Sequence, residues 1–270
     1  MTKYLRTIGY CGVDDSVAPE MLKLISDKYK WVEWGVLFRS DLEGTARYPS
    51  PAWVQRLLEL TEISADKGSV SIRLAGHLCG NRCQDVLDGQ TAFVQQLFEW
   101  GYRRVQINAT AANSVVVDPT QTKMYVNNII SCMQSVPKME FIIQCNEETR
   151  SIYEPLIAEP QPNMSLLYDA SCGKGVRVNS FPSPMLHPTI PCGYAGGIGP
   201  DCIAEIMTAV KGVVSVCPEH ITAWVDMESS LRAIVIEKDK VDQTEVRRDV
   251  FSLEKCFGCI LIAESVGFNR

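Results

Sequence analysis

The sequence predicts an α/β fold, a single (β/α)8 barrel over residues 1–270. Eight apolar, β-branched runs recur along the chain, most of the stretches between them have helical spacing, and a dense glycine cluster lies near the seventh run. An open, doubly wound sheet is the second possibility, but it would carry its glycine fingerprint near the first strand. With 270 residues, 46% of them hydrophobic, the chain has enough material for one core of this size.

The predicted elements follow from these patterns. The strands cover residues 4–12, 31–38, 70–76, 103–110, 140–146, 165–171, 190–197 and 221–229. Helical spacing predicts helices within residues 18–29, 50–68, 91–101 and 199–212. In the second of these, Ser50 comes before Pro51, which is a typical helix start. Residues 172–189 lack a helical pattern, so we expect a loop or a very short helix there.

Composition and charge exclude several classes of function. The formal net charge of −6 does not suggest a nucleic-acid partner. No apolar run of about 18 residues exists, so no membrane partner is expected. The N-terminal segment has no apolar region of the secretory type. Several of the 11 cysteines lie in apolar runs, which is typical of reduced, buried thiols, so we expect a cytoplasmic location. The oligomeric state is not predicted.

Reactive and polar residues follow most of the predicted strands. In a (β/α)8 barrel the active site lies at the C-terminal ends of the strands. The candidates at these ends are Cys11, Gly12, Asp14, Asp15, His77, Gln106, Asn108, Thr110, Gln144, Asn146, Asp169, Asp226 and Glu228.

The segment CGYAGGIGPD, residues 192–201, predicts a phosphate site. Gly196, Gly197 and Gly199 can offer backbone N–H groups in a loop that leads into a helix. Ser229 and Ser230 can offer hydroxyl groups from the loop after the eighth strand. Barrels of this class often bind phosphate with these two loops and a helix N-terminus. The alternative is that the glycines only form a tight corner.

These motifs together resemble the phosphoribosylanthranilate isomerase family, a TIM barrel of tryptophan biosynthesis. The resemblance covers most of the chain and rests on the segments IGYCGVDD, WGVLFRSDLEGTARYPSPAWVQRL, VQINAT, LLYDAS, AGGIGPDCI and WVDMESSLR. The segments at strands seven and eight are the most specific. Asn108 stands where the family has a histidine, Lys174 adds a charge after strand six, and Glu228 lies in the strand-eight loop.

The resemblance implies an isomerase that performs an Amadori rearrangement of a phosphoribosyl amine without a cofactor or metal. It implies Cys11 as the general base, acting as a thiolate, and Asp169 as the general acid. It implies that Arg47 holds the anthranilate carboxylate, and Gln106 and Asn108 are predicted to contact the substrate. Gly196, Gly197, Gly199, Ser229 and Ser230 would hold the phosphate. The alternative is a diverged phosphate-binding barrel with another substrate, or one that binds a metabolite without turnover.

Three further motifs have two interpretations each. His77, Cys79 and Cys83 could bind a metal, but a fourth ligand is not evident, and side chains of an inserted loop are the simpler interpretation. CFGC at residues 256–259 has redox spacing, but a final helix with buried cysteines explains it better. Arg73 is either a structural partner of Asp226 or Glu228, or a ligand for a substrate anion.

Overall fold

Eight parallel strands form a closed barrel in chain order, as the sequence predicts. The computed structural model describes residues 5–66, 72–177, 189–215, 222–238 and 244–268. The strands are β1 (Leu5–Cys11), β2 (Val32–Phe38), β3 (Arg73–Leu78), β4 (Arg104–Ile107), β5 (Glu140–Cys145), β6 (Met164–Tyr168), β7 (Cys192–Tyr194) and β8 (Ala223–Met227). β1 pairs with β8, and this pairing closes the ring. The open doubly wound sheet is therefore wrong.

Helices surround the barrel. They are α1 (Pro19–Lys28), α2 (Pro51–Asp66), α3 (Gly80–Leu87), α4 (Ala92–Glu99), α5 (Thr122–Ser135), α6 (Arg150–Ala158), α7 (Ile203–Val214) and α8 (Leu253–Ser265). Because the helices cover the outer face, strands such as β2 are buried at every position. The Ser50 hydroxyl accepts a hydrogen bond from the Trp53 N–H, which confirms the predicted start of α2.

Two predicted details need correction and one is confirmed. The segment expected to be an inserted loop around Cys79 and Cys83 forms α3. Arg73 pairs with neither acid; its exposed guanidinium donates from Nε to the Lys30 carbonyl. Cys256 and Cys259 are buried in α8, as the helix interpretation predicts. Residues 172–177 form turns without a helix, and the rest of the predicted loop, up to residue 188, lies outside the described residues.

Glycines on the strands make room for large polar side chains inside the barrel. A Cβ on Gly9 would lie 2.0 Å from Asp226 Oδ1. A Cβ on Gly35 would lie 2.6 Å from Cys11 Sγ and 2.8 Å from His77 Nε2. No real Cβ has such contacts, so these two positions need glycine for space. The missing side chains let three functional groups occupy one layer of the interior.

An ion-pair network forms the floor of the barrel below this layer. Arg104 pairs with Glu33 and, at 3.3 Å, with Glu140, and Arg6 Nη1 donates to Glu140 Oε2 at 3.0 Å. The Arg104 guanidinium also stacks 4.2 Å from the centre of the Trp224 ring. Four strands (β1, β2, β4 and β5) are joined by these charges, which are paired as buried charges must be.

A two-stranded antiparallel hairpin that the sequence analysis missed follows β8. It consists of β9 (Arg232–Lys238) and β10 (Glu245–Phe251). Arg232 anchors its base: Nη1 lies 2.8 Å from Asp14 Oδ2 and donates to the Gly12 carbonyl at 2.9 Å. Its Nε donates to Asp249 Oδ1 at 2.9 Å. The hairpin is thereby joined to the loop after β1.

The described residues contain no helix that is both long and apolar enough to cross a membrane.

Candidate active site

A cavity opens where the C-terminal ends of the strands meet, and it encloses about 600 Å3 of empty space including its open mouth. Eight predicted site residues line it: Cys11, Gln106, Asn108, Asp169, Gly196, Gly197, Ser229 and Ser230. His77, Gln144, Asp226 and Glu228 line it too. Arg47 and Gly199 are not part of this lining. The predicted base, acid and phosphate loops therefore face one space.

Cys11 ends β1 with its thiol buried beside His77, and Sγ lies 3.7 Å from His77 Nε2. Burial raises the pKa of the Cys11 thiol well above its usual value, and the carboxylates of Asp226 and Glu228 raise it further. A base that acts as a thiolate, as the resemblance implies for Cys11, would need surroundings that lower this pKa. The described surroundings instead favour the neutral thiol, chiefly because it is buried and also because the Asp226 and Glu228 carboxylates act on it.

His77 and Asp226 form the rest of this cluster. Burial, with a contribution from Arg104, lowers the pKa of His77 to about 3, so its imidazole is neutral. Burial raises the pKa of Asp226 to about 7, although Arg104 opposes the shift. The hydrogen bond described for the Asp226 carboxylate is from Trp224 Nε1, at 3.3 Å. Ligand atoms of Cys11, His77 and Asp226 all lie within 4.8 Å of one another.

Asp169 has a different environment, because four donors surround its carboxylate. The Ser171 N–H and hydroxyl donate to Oδ1 at 3.0 and 2.6 Å. Gln144 Nε2 and the Gly173 N–H donate to Oδ2, each at 2.9 Å. These bonds hold the loop after β6 in place, and they hold Asp169 as a hydrogen-bond acceptor.

Two buried amide oxygens lack a partner among the described residues. Gln106 uses its Nε2 to donate to Asn108 Oδ1 at 2.6 Å, and Gln144 uses its Nε2 on Asp169. The Oε1 atoms of both glutamines have no hydrogen-bond partner. Both residues line the cavity, and an orphaned buried acceptor is costly. A ligand with hydroxyl or N–H donors would satisfy them.

The predicted phosphate loops follow β7 and β8, and β8 pairs with β1. The backbone N–H groups of Gly196 and Gly197 have no acceptor among the described residues, and both glycines have positive φ. A Cβ on Gly197 would also lie 2.4 Å from the backbone nitrogen of Arg177. The backbone of this loop therefore requires glycine at position 197, whether or not the loop binds phosphate. Gly199 makes room for Ser230, whose hydroxyl donates to the Ile198 carbonyl.

Arg47 lies at the rim and is already paired. Its Nη1 contacts Glu228 Oε1 at 2.8 Å and its Nε lies 3.5 Å from Asp249. These pairs offset the charge that Glu228 brings to the strand-eight loop. No lysine or arginine is among the described residues that line the cavity, whereas Asp169, Asp226 and Glu228 are. A phosphate there would depend on backbone N–H and hydroxyl groups.

His77, Gln144 and Asp226 were expected at strand ends, but no catalytic role was predicted for them: His77 was considered as a metal ligand with Cys79 and Cys83, and Asp226 as a partner of Arg73. Their position at the barrel mouth was the available signal. Within the described residues, Cys79 and Cys83 do not join His77 in a group that could hold a metal ion. Cys79 Sγ instead lies 3.5 Å from Asn108 Nδ2, and Cys83 belongs to the hydrophobic core.

No known protein family and no curated protein matches this chain. Among solved structures, 3-hexulose-6-phosphate synthase from Salmonella typhimurium is 11% identical with a TM-score of 0.43, over 83% of this chain and 90% of that one. The tryptophan synthase alpha-subunit from Pyrococcus furiosus is 11% identical with a TM-score of 0.44, over 86% and 90%. A family GH18 chitinase from Chromobacterium violaceum is 11% identical with a TM-score of 0.47, over 82% and 78%. Sequence identities and TM-scores this low support no inference about activity.

Proposed function

We propose that this protein is an isomerase for a small phosphorylated sugar amine, of the Amadori type that the sequence resemblance implies. The observation that carries the proposal is the single cavity lined by Cys11, Asp169, the Gly196–Gly197 loop and Ser229–Ser230. An Amadori rearrangement needs a base for a proton next to an imine and an acid for the ring oxygen, both close to one substrate. The proposed substrate is phosphoribosylanthranilate or a related compound.

In this proposal Cys11 acts as the base with the help of His77. The imidazole lies 3.7 Å from the thiol as an acceptor for its proton, but burial favours the neutral form of both groups, so the transfer requires a bound substrate to stabilise the thiolate and imidazolium. The Asp226 carboxylate, when ionised, would stabilise that imidazolium. The unpartnered oxygens of Gln106 and Gln144 would accept hydrogen bonds from sugar hydroxyls, which is the substrate contact expected of Gln106. Arg47 would reach the carboxylate of the substrate by exchanging its rim partners.

Two carboxylates are candidates for the acid. The resemblance implies Asp169, whose carboxylate accepts hydrogen bonds from four donors. Asp226 is the second candidate, because burial raises its pKa to about 7 and so keeps part of its population protonated near neutral pH. The acid should be the residue whose amide variant loses the basic limb of the pH–rate profile of kcat.

The decisive experiment is an assay with phosphoribosylanthranilate. We expect Cys11→Ala to lower kcat by about 10²-fold or more, the usual scale for a general base. Cys79→Ala is the matched control, because it removes a buried thiol from the end of the next strand but one and should retain activity. Full activity in both Cys11→Ala and Asp169→Asn would reject the implied pair. If the native protein is inactive in this assay, phosphoribosylanthranilate is not its substrate.

The phosphate site needs a test that spares the backbone. Gly197→Val is unsuitable alone, because its side chain would meet the Arg177 backbone. Ser229→Asp instead adds a negative charge, and Ser229→Asn is the uncharged control of similar size. We expect Ser229→Asp to weaken binding of inorganic phosphate at least about 10-fold, since each 1.4 kcal/mol of lost interaction gives that factor. Equal phosphate affinity in the two variants would contradict the site.

The alternative is a barrel that binds a phosphorylated metabolite without turnover. One observation favours this alternative. Burial and nearby carboxylates keep the Cys11 thiol neutral, and a neutral thiol is a poor base. Phosphate binding that depends on Ser229, together with failure to restore growth of a tryptophan auxotroph lacking the isomerase, would favour it over turnover of phosphoribosylanthranilate.

A further inference from the structure

The cluster of Cys11, His77 and Asp226 has the composition of a metal site. Each residue offers one ligand atom, and the three atoms lie within 4.8 Å of one another on three strands of a rigid barrel. A thiolate, an imidazole and a carboxylate form a typical donor set for zinc. All three side chains are buried, and each comes from a strand end instead of a flexible loop.

The distance between Cys11 Sγ and His77 Nε2 is compatible with a shared metal as well as with a direct hydrogen bond. Ligand distances of about 2.3 Å for sulfur and about 2.0 Å for nitrogen place the two atoms about 3.5 Å apart around a tetrahedral zinc ion. The observed separation of Cys11 Sγ and His77 Nε2 is 3.7 Å. By the same distances, the tetrahedral arrangement needs these two atoms to move by only about two tenths of an ångström.

The charges of the cluster point the same way. A buried carboxylate requires a cation or several donors, and Asp226 has one described donor, at 3.3 Å. Arg104, a cation that acts on Asp226, already pairs with Glu33 and Glu140. A divalent cation on one thiolate, one carboxylate and one neutral imidazole gives a net charge of zero, which suits a buried position.

A second observation also points to a ligand beside the cluster. The Oε1 atoms of Gln106 and Gln144 are buried, lack partners and belong to residues that line the same cavity. Three protein ligands leave the fourth position of a tetrahedral ion to water or a substrate atom. A bound water offers the donors that these amide oxygens lack.

We propose that Cys11, His77 and Asp226 form a site for a thiophilic divalent cation, with zinc as the best fit, whose fourth position faces the cavity. As the sulfur–zinc bond forms, the thiol proton leaves to solvent. A thiolate held by zinc is a poor acceptor for a substrate proton, so metal binding and proton transfer are two exclusive uses of Cys11. The expectation from the sequence that no metal binds is revised accordingly. The metal proposal does not depend on the proposed isomerase activity.

The test is a titration of the full-length protein with Co²⁺, followed by displacement with Zn²⁺. We expect one Co²⁺ per chain with a thiolate-to-cobalt absorption band that Zn²⁺ removes. Cys11→Ser should abolish the band, while Cys79→Ser, which changes a buried thiol outside the cluster, should keep it. His77→Gln and Asp226→Asn should each weaken affinity more than the about 10-fold typical of losing an outer partner.

Several results would overturn the proposal. A native protein that shows no cobalt band would do so, as would a band that persists in Cys11→Ser or is lost in Cys79→Ser. Circular dichroism of each variant separates loss of a ligand from loss of the fold, and His77→Gln with Asp226→Asn decides the matter if Cys11→Ser does not fold. None of these measurements depends on enzyme activity. The metal proposal can therefore be judged even if the isomerase proposal fails.

Discussion

The chemistry available to Cys11 depends on the absence of a side chain at two neighbouring glycines. Gly35 carries no Cβ at the point where the thiol and the imidazole meet, and Gly9 leaves the same kind of space for Asp226. A side chain at either position would separate the members of the cluster. The two glycines are therefore as much a part of the candidate site as the residues with functional groups.

We expect Gly35→Ala to lower the stability and to abolish cobalt binding. The added methyl group would lie 2.6 Å from Cys11 Sγ, and overpacking of this kind costs about 1–3 kcal/mol. Urea unfolding and the cobalt titration measure the two effects.

The matched control is Gly212→Ala in α7, where a Cβ meets nothing within 4 Å. Alanine there should raise the free energy of unfolding by roughly 0.5–1 kcal/mol, because it favours the helix. Normal cobalt binding in Gly35→Ala would show that the cluster tolerates the side chain and that our account of Gly35 is wrong.

At the scale of elements, the hairpin and the candidate phosphate loop form one continuous segment. A 3-10 turn (Ser229–Leu231) leads directly into β9, whose first residue is Arg232. The buried Arg232 guanidinium contacts Asp14 and the Gly12 carbonyl in the loop after β1. This anchor therefore positions Ser229 and Ser230 as well as the hairpin.

We expect Arg232→Ala to release the hairpin and weaken phosphate binding together. Removing one partner of a buried pair costs about 3–5 kcal/mol. Limited proteolysis should then cut within residues 232–251, and inorganic phosphate should bind more weakly. Arg248→Ala is the control, because that side chain is 64% exposed and its pair with Glu237 is at the surface. Equal proteolysis of both variants would argue against the anchor.

At the scale of the whole molecule, the floor network holds together strands that are distant in sequence. Glu140 is its link between Arg104 and Arg6. Burial works to raise the pKa of Glu140, but the two arginines outweigh it and lower the pKa to about 2. A carboxyl whose pKa is depressed on folding adds stability that is present above its unfolded pKa and is lost as the pH falls towards the folded value.

We therefore expect Glu140→Gln to cost about 3 kcal/mol at pH 7, since one pKa unit corresponds to 1.36 kcal/mol. The difference from the native protein should shrink between about pH 4.5 and pH 2, where the native carboxyl becomes protonated. Urea unfolding at pH 7 and pH 3 measures it. Glu147→Gln is the control, because the Glu147 side chain is 80% exposed. A constant difference across this pH range would contradict the network.

The sequence predicted what depends on local pattern. Apolar runs identified the barrel strands, and the strand-end rule for barrels brought Cys11 and Asp169 to one cavity. It did not predict the Arg104–Glu33 pair, whose members are 71 residues apart and meet only because the sheet closes. It also missed β9, because Ile234 and Ile236 are 55% and 57% exposed and do not follow an inside-and-outside pattern. The contact between His77 and Cys11 depends on the space that Gly35 leaves, and no sequence motif reveals that space.

The pairing of β1 with β8 determines when the barrel can close during protein synthesis. Gly9 aligns with Asp226, so the first strand finds its last neighbour only after β8 has been made. At about 5–20 residues per second of synthesis, Cys11 waits about 10 to 40 seconds for Asp226 to emerge. We expect its sulfur to be open to water during that interval, with the ordinary reactivity of a cysteine. Ring closure ends this exposure, so the newborn chain is the form most vulnerable to oxidants and to stray metal ions.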